Sequence, residues 1–232
     1  MLNLGVDFAA NLARVTDQIG EAALQAGRRP AEITLVGVSK THSAEEVVAA
    51  VQAGLRHVGE NRVQEAAEKF PVARQALVQL PVFHMVGHLQ SNKASAAIEL
   101  FDRIDSVDNV KLAQVLSRRL DRELPILVEV YVGDDPSRPG IRPHQIVEVV
   151  GAILEVPRIR VEGLMTVAPL GSEPRAAFAE VNRLKEILSK TFPAVNFGVL
   201  SMGMSDDYRE AILEGSTEVR IGTALFGPRK PR

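Results

Sequence analysis

ITLVGVSKTHSAEEVVAAVQAGLRHVGE, residues 33–60, predicts a strand, a helix and a second strand in immediate succession. The apolar, β-branched run Ile33–Lys40 is typical of a strand that is buried on both faces. Ser43, with Glu46 three residues later, has the pattern of a capping box that begins a helix, and Gly54 ends that helix. The run His57–Glu60 is strand-like again. Such a unit predicts two parallel strands joined by a right-handed crossover.

The same alternation of strand and helix continues to the end of the chain. Six further strands are predicted at Phe83–His88, Ile104–Val107, Ile126–Val132, Val161–Ala168, Phe197–Gly203 and Glu218–Gly222. Eight parallel strands alternating with helices in 232 residues fit an α/β protein with a single (β/α)8 TIM barrel, and we expect one domain over residues 1–232. An open, doubly wound sheet is the alternative, because the same alternation produces both folds.

An extra N-terminal helix is predicted before the first strand. Its apolar residues recur with helical spacing at Leu4, Phe8, Leu12, Val15 and Ile19. Gly27 ends this helix, which would fill the helical position left open after the last strand. Further along, we expect the helix after the second strand to end at about Phe70, and we expect Asp108 and Ser205 to act as N-caps after the fourth and seventh strands.

The composition is that of a globular protein and excludes several classes. Lys and Arg number 27 against 29 Asp and Glu, so there is no basic excess that would favour nucleic acid. The chain contains no Cys, which excludes disulfides, thiol catalysis and thiolate metal sites. We find neither a signal segment nor an apolar run of about 18 residues. We therefore predict a cytoplasmic protein that binds neither membranes nor nucleic acids.

In a barrel of this kind, function is expected at the carboxyl ends of the strands. Lys40 ends the first strand, and a desolvated lysine amine is a nucleophile toward aldehydes. The alternative is a lysine whose ammonium group simply reaches solvent.

The loops after the last two strands have the composition of a phosphate site. Ser201, Gly203, Gly222 and Thr223 are small enough to let backbone N–H groups approach a phosphate, and Ser205 adds a hydroxyl. The alternative is that the glycines only form tight turns.

Three further sets of polar residues have more than one functional interpretation. Arg220 shares a strand face with Gly222 and could point into the barrel mouth or form a structural ion pair. His84 and His88 could bind a metal, but no third ligand is evident, so we predict no metal site. Glu129 and Glu162 could form a glycosidase pair, which no other residue supports.

Four motifs in order along nearly the whole chain resemble one known family. LVGVSKTHSAEEVVAAVQAGLRHVGENRVQEAAEK, FHMVGHLQSNKA, GLMTVAP and LSMGMSDDYREAILEGSTEVRIGTALFG are similar to the pyridoxal phosphate homeostasis proteins. The resemblance implies an alanine-racemase-type barrel, similar to the N-terminal domain of that enzyme, without the enzyme's second domain.

The resemblance also implies a cofactor and residues that contact it. Pyridoxal 5′-phosphate (PLP) would be held as a Schiff base on Lys40, with Ser201, Gly222 and Thr223 at its phosphate. Arg220 would face the pyridine nitrogen, and Asn61 would line the pocket.

The function implied is a monomeric, non-catalytic binder that buffers PLP and delivers it to apo-enzymes that use it. An amino-acid racemase is the alternative, but it needs a second base, and the chain has only Tyr131 and Tyr208 as tyrosine candidates. A lysine aldolase acting on a sugar phosphate through Lys40 is a third possibility.

The sequence departs from the family pattern at a few positions. Arg62 stands where Tyr is usual, and Phe83 stands where Trp is common. In the loop after the fifth strand, Tyr131, Gly133 and Arg138 stand near positions where relatives tend to have Asn, Ser and Lys. These departures affect surfaces for partners or regulation rather than the residues expected at the cofactor.

Overall fold

The computed structural model describes residues 6–169, 171 and 173–228, and these residues form a closed barrel. The strands are β1 (Thr34–Val38), β2 (His57–Glu60), β3 (Val82–Met85), β4 (Arg103–Val107), β5 (Leu124–Val130), β6 (Ile159–Thr166), β7 (Val199–Ser201) and β8 (Glu218–Ile221). All of them are parallel, each pairs with the next along the chain, and β8 pairs with β1. The predicted (β/α)8 barrel is confirmed, and the open sheet is excluded.

Helices surround the barrel. Those of the described residues are α1 (Phe8–Gln25), α2 (Ala44–Gln52), α3 (Val63–Ala76), α4 (Ala94–Leu100), α5 (Val110–Ser117), α6 (Ile146–Leu154), α7 (Pro174–Thr191), α8 (Tyr208–Leu213) and α9 (Thr223–Phe226). Helix α1 packs against α2, α8 and α9, so the extra N-terminal helix fills the predicted position; Leu4 lies outside the described residues. None of these helices combines the length and the apolar character that a membrane crossing requires.

The two faces of each strand have different chemistry. Side chains on the outer face, such as Ile104, Val128 and Leu200, join the apolar core beneath the helices. The register places Val36 beside Arg220 and Gly59 beside His84 on the opposite face, which points into the barrel. Buried polar residues therefore fill much of the barrel interior, and each must find a partner there.

One of the three predicted N-caps is confirmed and two are wrong. Ser43 and Glu46 form both bonds of the capping box at the start of α2. Asn109, not Asp108, caps α5, because its side chain accepts the N–H of Leu112 at 2.8 Å. Ser205 lies three residues before α8, where Asp207 occupies the N-cap position.

Element boundaries also differ from those predicted. Helix α3 continues through Pro71 to Ala76 instead of ending at about Phe70. Strand β3 ends at Met85 rather than at His88, and β7 spans only Val199–Ser201. In both strands the apolar sequence continues beyond the last residue of the strand, so composition alone overestimates the length of the strand.

Candidate functional site

Lys40 lies in a strained turn directly after β1. The N–H of His42 donates to the carbonyl oxygen of Ser39 at 3.1 Å, which closes the turn around Lys40 and Thr41. Thr41 has a φ of 68°, a left-handed conformation that is unfavourable for a β-branched residue. Its N–H donates to Glu65 of α3 at 2.9 Å, and this bond helps to hold the turn in place. Such strain is typical of functional turns whose surroundings fix them.

A cavity of about 330 Å³ opens at the carboxyl ends of the strands, beside this turn. Its lining contains five of the six predicted site residues, namely Lys40, Asn61, Arg220, Gly222 and Thr223. These residues come from the ends of β1, β2 and β8, so the closed barrel brings together positions that are far apart in sequence. Its size is within the range of about 300–1,000 Å³ for small-molecule sites.

The sixth predicted residue, Ser201, lies behind the cavity rather than in its wall. Its hydroxyl is fully buried and accepts a bond from the Nη1 group of Arg220 at 2.8 Å. Ser205 lines the cavity instead. The chain turns at Gly203, where φ is 95° and where a Cβ would come within 2.8 Å of the Tyr208 Cα, so glycine is required there. This turn redirects the loop and brings the later serine to the site.

Arg220 provides a fixed positive charge at the inner wall of the cavity. Its side chain is only 4 % exposed, and it also donates to the carbonyl oxygens of Ser201 at 2.7 Å and Thr166 at 2.8 Å. Burial lowers the pKa of Arg220, although the carboxylates of Glu218 and other acidic residues oppose this effect. Guanidinium remains a donor at any physiological pH, so this group can only donate hydrogen bonds to a ligand.

Gly222 and Thr223 form the start of α9 and line the same cavity as Lys40. The first N–H groups of a helix have no acceptor within the helix, so they can bind an anion. A Cβ built on Gly222 would lie 3.4 Å from the carbonyl oxygen of Val38, which is an ordinary contact.

Glu129 is a buried carboxyl on the interior face of β5. It is 8 % exposed, and its Oε2 atom has no hydrogen-bond partner in the described part of the chain. Burial raises the pKa of Glu129 to about 7, with a further contribution from Asp108, while Arg220 opposes the shift. Glu162 instead forms ion pairs with Arg160 and, at 3.8 Å, with Arg103, and such pairing is the structural role of a strand carboxylate rather than that of a glycosidase acid.

The two histidines that were considered as metal ligands lie in different surroundings. His84 is buried, with Nδ1 3.1 Å from Asp105 and Nε2 3.0 Å from His57. The side chain of His88 is 51 % exposed, and its Nδ1 lies 3.5 Å from Asp108.

A different set of potential metal ligands, His84, Asp105 and Glu218, does converge inside the barrel. The guanidinium of Arg103 already lies against both carboxylates, with its Nε atom 2.6 Å from Asp105 and its Nη2 atom 2.6 Å from Glu218. A cationic side chain therefore occupies the place that a metal ion would need.

Comparison with known proteins agrees with this geometry. The model of the alanine racemase N-terminal domain family matches residues 11–230. The pyridoxal phosphate homeostasis protein of Escherichia coli K12 is 40 % identical over 230 residues, which cover 96 % of this chain and 97 % of that protein. Its counterpart in Pseudomonas aeruginosa is 42 % identical over 228 residues, which cover 96 % of each chain.

Solved structures extend the comparison. PipY of Synechococcus elongatus with PLP bound has a TM-score of 0.85 and 36 % identity, over 95 % of this chain and all of that one. Alanine racemase from Corynebacterium glutamicum shares only the fold, at 16 % identity and a TM-score of 0.66, and the match covers 61 % of that enzyme. The chain therefore belongs to the alanine racemase N-terminal domain family and, within it, to the pyridoxal phosphate homeostasis proteins.

Proposed function

We propose that this protein binds PLP in the cavity beside Lys40, holds it covalently on the Lys40 amine, and serves intracellular vitamin B6 homeostasis. The observation that carries the proposal is the meeting of Lys40, Arg220 and the start of α9 around one cavity. Relatives that match nearly the whole chain carry the name of PLP homeostasis proteins, and the structure of PipY with PLP bound also supports the proposal.

Each chemical group of PLP has residues in or beside the cavity that suit it. PLP supplies an aldehyde that condenses reversibly with a primary amine and releases water. Lys40 provides the amine, and Arg220 provides a donor for the pyridine nitrogen. Gly222, Thr223 and Ser205 provide small residues, helix N–H groups and a hydroxyl for the phosphate, with Ser205 replacing Ser201 in that role. Asn61 lines the remaining wall.

We further propose that the protein is a binder rather than an enzyme. A two-base racemase needs a second base opposite the lysine. Tyr131 is buried beneath Arg142, whose guanidinium carbon lies 4.6 Å from the centre of its ring, and Tyr208 begins α8 with Arg209 over its ring at 5.8 Å. Neither tyrosine lines the cavity beside Lys40.

We propose that the protein is a monomer in the cytoplasm and that it passes PLP to apo-enzymes that require this cofactor. Arg62, at the start of α3, is exposed at the rim of this end of the barrel, and its departure from the family pattern falls on a surface that partners can reach.

Binding and turnover measurements test the proposed function together. We expect the purified protein to acquire the absorbance of lysine-bound PLP on titration, and to bind PLP more tightly than pyridoxal, which lacks the phosphate. Racemisation, transamination and decarboxylation of a panel of amino acids should stay far below the typical enzyme range of about 1–1,000 per second. Equal affinity for pyridoxal and PLP would contradict the phosphate site, and turnover within that range would favour the racemase.

Gly222→Val tests the phosphate site. The valine side chain would enter the cavity where the phosphate is expected, so we expect PLP affinity to fall about 10- to 100-fold, as for one lost charge-assisted hydrogen bond of about 1.5–3 kcal/mol. Ser201→Ala should have a smaller effect, because Arg220 keeps its bond to the Ser201 carbonyl oxygen. Equilibrium titration measures the PLP dissociation constants of both variants. Equal dissociation constants would contradict the assignment of the phosphate site to Gly222.

A further inference from the structure

His42 lies where two cavities meet. It lines the cavity beside Lys40 and also a larger groove of about 740 Å³ that runs along the starts of α3 and α4. Among the described residues, Asn61 is the one other that lines both cavities. The imidazole is 5 % exposed and packs on Phe226, with the ring centres 5.2 Å apart.

The orientation of the ring is set by a buried carboxylate. The Nδ1 atom of His42 lies 3.4 Å from Oε1 of Glu46, while Oε2 of Glu46 accepts the N–H of Ser43 at 2.8 Å. With Glu46 ionised, its carboxylate can only accept hydrogen bonds, so the His42 tautomer that fits this pair carries its proton on Nδ1. At 3.4 Å the contact is longer than an ordinary N–H···O bond of about 2.7–3.2 Å, as catalytic hydrogen bonds often are before a ligand is bound. The Nε2 atom is thereby left with its lone pair, as in histidines that act as bases.

Attachment of an aldehyde to Lys40 requires proton transfers, and among the described residues that line the cavity His42 carries the imidazole, a side chain that can both accept and donate a proton. The ammonium nitrogen loses two protons as it forms a double bond to the aldehyde carbon, and the aldehyde oxygen gains both and leaves as water. Charge and electrons balance without an oxidant. Arg220 cannot accept a proton, and Asp206, the carboxylate that lines the cavity, is exposed on its loop.

We propose that His42, oriented by Glu46, is the general acid–base residue for loading PLP onto Lys40 and for its release. His42 takes a proton from the Lys40 amine and returns it to the oxygen that leaves as water. This inference rests on the proposed function, because it assumes that Lys40 is the attachment point. Glu46 acts through His42 and is a positioning residue.

The kinetics of loading test this role. PLP is mixed with wild-type protein, His42→Gln, His42→Ala and Glu46→Gln, and both attachment and release are followed by absorbance. A general acid–base residue speeds both directions equally, so we expect both rates to fall by about 100-fold in His42→Gln with the dissociation constant unchanged. Glu46→Gln keeps the capping box and should slow both rates to a smaller extent.

Added imidazole distinguishes proton transfer from packing. It should restore the loading rate of His42→Ala in proportion to its concentration and leave the wild-type rate unchanged. His88→Gln is the matched control, because His88 lines only the outer groove and should load at the wild-type rate.

Three results would overturn the inference. The first is an unchanged loading rate in both His42 variants. The second is a changed dissociation constant without imidazole rescue, which would assign His42 a structural role. The third is a wild-type protein that does not load PLP, which would overturn the proposed function as well. Far-ultraviolet circular dichroism shows whether each variant is folded. If one His42 variant is unfolded, the loading rate of Glu46→Gln and the imidazole series test the role of His42.

Discussion

Lys40→Ala is expected to abolish covalent attachment of PLP. Among the residues that line the cavity in the described part of the chain, Lys40 is the one that carries an amine. Arg220 and the start of α9 remain, so the variant should still bind PLP reversibly, but more weakly. Borohydride reduction of the PLP-treated protein, followed by intact mass and peptide mapping, measures the attachment directly.

Two other lysines test whether the attachment is specific to Lys40. Lys69 and Lys93 line the outer groove, and Lys69 is buried with its ammonium 2.7 Å from Glu60 and 2.9 Å from the Ser39 carbonyl oxygen. Lys93→Ala is the matched control and should retain full attachment. Stoichiometric attachment to Lys40→Ala at either of these lysines would show that the proposed anchor is wrong.

The fold was predictable because its evidence is local and repeated. Each strand and each helix has its own pattern of apolar residues, and the eightfold alternation restricts the topology to two candidates. The placement of Lys40 and Arg220 at one cavity follows from the sequence because strand ends and strand faces can be counted along it. The register confirms that Arg220 and Val36 share the interior face.

Ser201 lies behind the cavity rather than at the mouth that the sequence predicts, and the length of β7 explains the difference. The sequence from Phe197 to Gly203 is apolar and small throughout, so a long strand was predicted, with Ser201 near its mouth. The strand ends at Ser201, and the left-handed turn at Gly203 redirects the chain so that Ser205 reaches the cavity. A turn of this kind depends on the close approach of Tyr208, which no local pattern reveals.

His42 and Arg103 were missed for different reasons. His42 and Glu46 have the spacing of neighbours on a helix, but His42 lies before the N-cap, so the pair was not evident. The predicted fourth strand begins at Ile104 and leaves out Arg103, although Arg103 and Asp105 alternate as residues on one strand face do. Their third partner, Glu218, is 115 residues from Arg103, and only closure of the barrel brings it near.

Arg103→Met is expected to lower the free energy of unfolding by about 3–5 kcal/mol, because it leaves two buried carboxylates without their cation. Burial alone would lower the pKa of Arg103, but Asp105 and Glu218 outweigh it and hold this pKa above its ordinary value. Burial would likewise raise the pKa of Asp105, but Arg103 and His84 keep it well below the usual range. Urea denaturation at neutral pH measures the loss. Arg183→Met is the control, because Arg183 pairs at the surface with Glu180 and should lose little stability.

The pH dependence of the Arg103→Met variant separates lost charge pairing from lost packing. In the wild-type protein the depressed pKa of Asp105 contributes stability that is present above the unfolded pKa and is lost as the pH falls through the folded value. Without Arg103, burial raises the pKa of the same carboxyl, so protonation relieves the buried charge and the difference between the two proteins should shrink as the pH falls. Arg103→Met combined with Glu218→Gln should recover part of the stability at neutral pH, since one of the unpaired charges is removed. A loss below about 1 kcal/mol at neutral pH would mean that the interior charges are solvated by water rather than paired by Arg103, and a larger loss that stays constant across pH would assign the effect to lost packing.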